Sequence, residues 1–218
     1  MSVPFLHTSR ILLKQQGLGG PLLLFAAVLC CWLLAPVLSP LLEYDRTAIG
    51  GGQVWRLASG HLPHTNLQHL LLNSAGLLLL WILHGPHYRM GNFVPTTAVV
   101  ALGTGLGLLL FSPQTDVYLG LSGVLHGLII WGGCLDIRAR WRTGYLLVAG
   151  TWIKVGLEQY YGASDATAQL IDAAVAVDGH LWGSVSGTVL GLLALLRPAS
   201  PVKGTSDKAA QPSQSQPS

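Results

Sequence analysis

Charge is what this sequence has least of. Asp, Glu, Lys and Arg make up 10% of 218 residues, against 50% hydrophobic residues and a mean hydropathy of +0.51. Soluble domains carry about 25% charged residues, so this chain cannot build a water-facing shell, and a bilayer is the solvent that suits it. The same shortage rules out a disordered chain, which needs high charge and low hydropathy, and a coiled coil, which needs charged flanks on its heptads. Its 27 glycines follow no collagen repeat. Cysteine is scarce as well: Cys30 and Cys31 are adjacent in one apolar run and Cys134 sits in another. No disulfide framework and no thiolate metal site follows from that placement, and buried free thiols are expected. An excess of only +3 offers no surface for nucleic acid.

Long apolar runs are what the chain does have. A hydrocarbon core of about 30 Å takes about 20 helical residues. Six stretches qualify as spans: Pro21 to Leu38, Leu67 to Leu83, Phe93 to Phe111, Val117 to Leu135, Gly144 to Leu157, which is short, and Ala173 to Leu196. The first is too long, and is followed by too many others, to be only a cleaved signal peptide. The expected fold class is therefore all-α, a polytopic membrane protein built as a six-transmembrane-helix bundle over residues 21–197. Residues 1–20 form a cytoplasmic N-terminal segment in this reading, and residues 198–218, rich in Pro, Ser and Gln, a disordered cytoplasmic tail. Positive residues fix the orientation. Arg10, Lys14, Arg89, Arg138, Arg140, Arg142, Arg197, Lys203 and Lys208 fall on one side when both termini are cytoplasmic, which leaves Arg46 and Arg56 outside and Lys154 within a span.

Polar side chains inside spans are costly, so those present are informative. Spans two, four and six run inward from the outer face, and each carries polar residues near its start: His69 and Asn73, Ser122 and His126, and His180. At 1.5 Å per residue they share a depth of roughly 10 Å below the outer surface. A serine hydroxyl, an imidazole and amide donors are the parts of nucleophilic acyl transfer: an attacking group, a base and a cradle for the oxyanion. Ser122 lies between Gly120 and Gly123, where missing side chains allow a peptide to come close. His180 opens the series His180, Gly183, Gly187, Gly191, a ridge that lets one helix pack tightly on another. His69 and Asn73 are four apart and share a helix face. Alone, each has a bland reading, as a helix-packing serine, a buried polar tether or an interfacial histidine.

Taken in order, Trp55-Arg56, His64 with His69 and Asn73, Gly120-x-Ser122-Gly123 and His180-x-x-Gly183-x-x-x-Gly187 resemble the rhomboid intramembrane serine proteases over about residues 20 to 196. The resemblance implies Ser122 as nucleophile and His180 as its base, a dyad without an Asp, with Asp178 on a different helix face from His180. It implies an oxyanion hole of His69, Asn73 and the Ser122 backbone N–H, with Gly120, Gly123, His64 and His126 supporting the site. Where the best-known bacterial members carry Tyr four residues after the nucleophile, this chain has His126, a rival base on the same helix face. That context, with Lys154-x-x-x-Glu158-Gln159, is similar to the rhombosortase subgroup. The substrates so implied are exported proteins with a C-terminal sorting tail: a Gly-Gly-type motif, a transmembrane helix and a basic end. The implied place is the bacterial inner membrane, with the site towards the periplasm and the lipid bilayer as the other partner.

Lys154 and Glu158, four apart in an apolar span, can neutralise each other, and are expected either as a structural pair or at the outer mouth where a substrate helix arrives. Neither His-Glu-x-x-His nor Gly-x-Gly-Asp occurs, which removes zinc and aspartyl intramembrane proteases. His61, His64 and His69 lack a carboxylate or thiolate at metal-site spacing, so no metal and no cofactor is expected. Gly103-Thr104-Gly105-Leu106-Gly107 lies within an apolar span and reads as helix packing, not a nucleotide loop. A catalytically inactive rhomboid-like protein that binds and escorts transmembrane helices is the alternative function. A transporter would instead need broken helices at mid-membrane. Release of the acyl group to water or to another amine, as in transpeptidation, is left open by the residues.

Overall fold

The computed structural model describes residues 17–173 and 175–196. Most of the expected N-terminal segment and the whole of the expected tail lie outside the described residues. In chain order the elements are α1 (Gly19–Leu33), α2 (Ala35–Leu42), β1 (Tyr44–Asp45), α3 (Arg46–Gly50), α4 (Arg56–Ser59), α5 (Leu67–His84), α6 (Met90–Phe111), β2 (Val117–Tyr118), α7 (Ser122–Arg138), α8 (Thr143–Tyr161), α9 (Asp165–Ile171) and α10 (Val177–Leu196). The long helices α1, α5, α6, α7, α8 and α10 correspond to the six expected spans. Helices α5, α6 and α10 are each long and apolar enough to cross a membrane, and α1 with α2 makes a fourth if that bent pair is one span. Helix α7 is only 17 residues long, and α8 is diluted by Lys154 and Glu158. The chain is a multi-pass helical membrane bundle.

Four boundaries differ from the sequence reading, each for a local reason. The first span does not run straight to Leu38: it breaks at Leu34, and α1 and α2 meet at 111°. Pro36 stands in the first turn of α2, where its missing N–H and its ring disfavour continuing the preceding helix. The fourth span does not start at Val117. Val117 and Tyr118 pair antiparallel with Asp45 and Tyr44, and the helix begins only at Ser122. The fifth is a full 19-residue helix rather than a short one, and the sixth starts at Val177, after the separate α9.

The segment between α2 and α5 is held by two arginines acting as carbonyl clamps. Arg46 donates to the carbonyls of Leu108, Leu109, Ser112 and Thr115, at and just past the C-terminal end of α6, where the helix runs out of N–H groups to offer them. Buried Arg56 donates to the Pro40 and Glu43 carbonyls and to Gln53. Side-chain burial centres on α7, whose Val124, Leu128 and Trp131 pack with Leu70, Leu77 and Val100.

One seam of α7 has almost no side chains in it. A Cβ on Gly183 would collide with the Gly123 carbonyl, one on Gly187 with that of Gly127, and one on Gly191 would come 2.5 Å from Cys134 Sγ. The expected glycine ridge of α10 thus meets glycines of α7, so two backbones touch where side chains normally separate them. The glycines of α6 pack as expected too: Gly103 against Ser186, Gly105 against the Leu57 backbone and Gly107 against Trp182. At the end of α7 away from Ser122, buried Asp136 accepts from His87 Nε2 at 2.7 Å, with His84 Nε2 at 3.4 Å from its other oxygen.

Candidate active site

Ser122 is the first residue of α7, delivered by a turn that only glycine tolerates. Gly120 has φ of +115°, and a Cβ there would lie 2.5 Å from His69 Cε1 and 2.6 Å from its Nε2. Tyr118 locks the turn: its hydroxyl donates to the Gly120 carbonyl at 2.8 Å and accepts the Gly123 N–H at 3.3 Å. Across the glycine seam, the first turn of α10 carries His180, and His180 Nε2 lies 2.9 Å from Ser122 Oγ. The seam sets that distance, because Gly183 and Gly187 remove the side chains that would hold α10 away.

His69 and Asn73 face the same point from α5. Asn66 starts that helix by accepting the His69 N–H at 2.8 Å. The His69 ring is steadied by Thr65, whose Oγ1 lies 3.1 Å from Nδ1 and itself donates to the Ile171 carbonyl at 2.6 Å. Asn73 Nδ2 is buried without a hydrogen-bond partner. A buried amide donor with nothing to bind is costly, and here it sits beside Gly120 and lines the same cavity as Ser122. His64 packs edge-on to His69 with ring centroids 4.8 Å apart, and its Nδ1–H donates to the Leu62 carbonyl at 2.9 Å. Burial holds His64 and neighbouring His61 neutral, each lowered to about 4. His61 serves the scaffold, donating from Nε2 to the Ala101 carbonyl at 2.9 Å.

His126 stacks on His180, with centroids 4.1 Å apart and planes 15° from parallel. Its Nδ1–H donates to the Ser122 backbone carbonyl at 2.7 Å, so His126 braces the turn and the ring of His180 instead of contacting the hydroxyl.

The expected Lys154–Glu158 pair forms, with Nζ 2.6 Å from Oε1, and Glu158 reaches further: its Oε2 is 2.8 Å from His180 Nδ1. Asp178, the acid next to His180 in sequence, instead bonds Gln114. The acid thus comes from α8, a helix that sequence spacing could not orient against α10. Tyr118 and Thr65 were also not singled out, and nothing in their sequence context marks them. His126, Glu158 and His180 bring donor atoms within 4.8 Å of one another. Of the four ring nitrogens on the two histidines, three already serve hydrogen bonds: His180 Nδ1 to Glu158, His180 Nε2 to Ser122, and His126 Nδ1 to the Ser122 carbonyl.

These groups form the polar head of a cavity of about 1100 Å³ between α5 and α8. Its rim is apolar and exposed, with Leu72 and Leu79 on one helix and Ile153 and Leu157 on the other. An exposed rim of leucine and isoleucine suits contact with hydrocarbon, while the head of the cavity is polar. The arrangement sets an imidazole nitrogen to take a proton from a serine hydroxyl at the head of a cavity with an apolar rim.

Comparison with known proteins agrees with this architecture. Residues 51–197 match the family model of the Rhomboid domain. Rhomboid protease GlpG of Yersinia enterocolitica is 29% identical over 196 residues, which cover 83% of this chain and 63% of that protein. The chain thus spans less than two thirds of that relative's length. With the domain matched over more than half of its residues, the chain belongs to the rhomboid family.

Proposed function

We propose that this protein is an intramembrane serine protease of the rhombosortase type. It cuts the Gly-Gly-type C-terminal transmembrane sorting tail of exported proteins near the outer face of the bacterial inner membrane, with both termini cytoplasmic. The observation that carries the reading is the 2.9 Å approach of His180 Nε2 to Ser122 Oγ at the head of a cavity with an exposed apolar rim. His180 takes the hydroxyl proton as Ser122 Oγ attacks the scissile carbonyl, then gives it to the leaving amine. Asn73 Nδ2, the His69 ring edge and the Ser122 backbone N–H surround the place where the carbonyl oxygen becomes negative, and the unpaired state of Asn73 Nδ2 supports that role. Water, or another amine, then releases the acyl group from Ser122.

A transmembrane helix hides its carbonyls in its own hydrogen bonds and must unwind before it can be cut. Each glycine lowers helix stability by about 0.8 to 1 kcal/mol relative to Ala, so a Gly-Gly pair at the membrane edge opens most easily. The test is a tail-anchored reporter with a Gly-Gly juxtamembrane motif, expressed beside this chain. Ser122→Ala and His180→Ala each abolish cleavage, His126→Ala retains part of it, and sequencing the released C-terminus gives the cut site and the acyl acceptor. A reporter bound but uncut by the wild type would favour a helix-escorting relative. Cleavage that survives Ser122→Ala would overturn the mechanism.

A further inference from the structure

We propose that Glu158 is a positioning residue for His180, so that the site works as a serine–histidine–glutamate relay completed by Lys154. The inference rests on Ser122 and His180 being nucleophile and base. A carboxylate can only accept hydrogen bonds, so the 2.8 Å contact puts the hydrogen of His180 on Nδ1. The neutral ring then presents a bare Nε2 to Ser122 Oγ at 2.9 Å, the tautomer a general base needs. With no acceptor at Nδ1 the ring could equally carry its hydrogen on Nε2, pointing it at the hydroxyl and unable to take a proton. Glu158 also fixes the ring's rotation about its Cβ–Cγ bond, while the stacked His126 fixes its plane.

The proton balance is simple. As the bond from Ser122 Oγ to the substrate carbonyl carbon forms, the hydroxyl proton passes to His180 Nε2 and Nδ1 keeps its own. The imidazolium then lies between the oxyanion side and the Glu158 carboxylate, which stays ionised and offsets the new positive charge. Beside a buried imidazole such a preorganised countercharge acts more strongly than in solvent. Lys154 explains how a carboxylate persists in an apolar helix. Its Nζ holds Oε1 at 2.6 Å, which neutralises the charge before reaction and leaves Oε2 aimed at His180. An ion pair with a purely structural role would be satisfied by the Lys154 contact alone. Glu158 instead lines the cavity and divides its two oxygens between a cation and the base.

The experiment uses the full chain in detergent and in vesicles, with two readouts. One is kcat and KM on the Gly-Gly reporter; the other is the labelling rate of Ser122 by a fluorophosphonate probe, which needs no transmembrane substrate. Glu158→Gln, close in shape, and Glu158→Ala should lower kcat by about 100- to 10,000-fold with KM unchanged. Labelling should fall in parallel, and Glu158→Asp, which keeps the charge, should stand above Glu158→Gln. Wild-type kcat in Glu158→Gln, or a loss confined to KM, overturns the proposal and returns Glu158 to substrate access. So does an equal loss in all three variants that follows a lowered Tm. A wild type that labels no better than Ser122→Ala removes the protease reading itself, and this inference with it. A reactive wild type with an equally reactive Glu158→Gln removes this inference alone.

Discussion

Two imidazole–carboxylate clusters stand at opposite ends of α7, about 20 Å apart at 1.5 Å per residue. At one end Glu158 meets His180; at the other Asp136 meets His87 and His84. The chemical pairing is the same, and the surroundings are not. His180 turns its second nitrogen to a serine hydroxyl at the head of a cavity, whereas His84 is wholly buried and turns Nε2 to Asp136 at 3.4 Å. Asp136 receives a side chain from the turn after α5 and so fastens that turn to α7. The contrast teaches that a histidine–carboxylate pair becomes a functional site through what its free nitrogen faces and what can reach it. One cluster is a relay and the other a clasp.

The sharpest way to break the relay without touching its polar groups is to wedge the seam beneath it. Gly183→Val places a branched side chain against the Gly123 carbonyl, a backbone atom that no rotamer change can move aside. Helix α10 must shift, carrying His180 from Ser122. A misplacement of about 1 Å costs on the order of 100-fold in rate, so reporter cleavage and fluorophosphonate labelling should both fall at least that far. The far clasp lies outside this seam contact, and helix content by circular dichroism should remain. Undiminished labelling in Gly183→Val would show that the seam does not set the His180 position.

The clasp should answer the opposite way. Asp136→Asn removes the charge that accepts the His87 hydrogen bond in a buried site, and bonds to charged groups contribute about 1.5 to 3 kcal/mol. Thermal unfolding in detergent should begin at lower temperature, while kcat per folded molecule on the reporter stays that of the wild type. A loss of kcat with Tm unchanged would mean that the two ends are coupled through α7, and the division into relay and clasp would fall.

Much of the relay was legible because its parts obey one-dimensional rules. Ser122 between glycines and His180 at the head of a four-residue glycine period are patterns that helix geometry turns directly into a face and a depth. The break at Leu34 is hidden in the sequence, where the apolar run continues past Pro36 to Leu38. Glu158 was visible as a costly charge beside Lys154, yet its partner was not. Which way α8 rotates against α10 depends on packing that brings together residues 22 apart in the chain, and no local period encodes it. The clasp went unnoticed for the same reason: His84, His87 and Asp136 come from two chain segments and carry no spacing that marks them. Val117 and Tyr118 read as the start of a span from their apolarity, but pairing with Tyr44 and Asp45 claims them as strand.

His61 gives the smallest effect and places acid sensitivity at the relay end of the molecule. It performs no step of the chemistry, yet it is buried under the segment that carries Gly60, whose carbonyl accepts the Gly120 N–H at 3.3 Å. Burial lowers it to about 4 from an ordinary value of 6.5, so the unfolded chain takes up the proton first as pH falls. The stabilising contribution of the neutral ring is complete above pH 6.5 and drains away as pH drops towards 4. His64 adds to the same window in the same direction. His61→Gln keeps a donor for the Ala101 carbonyl but does not titrate, so its Tm should fall less steeply between pH 6.5 and 4 than that of the wild type. Parallel Tm curves for the two proteins would show that His61 is protonated without cost in the fold, and that the acid sensitivity of this end arises elsewhere.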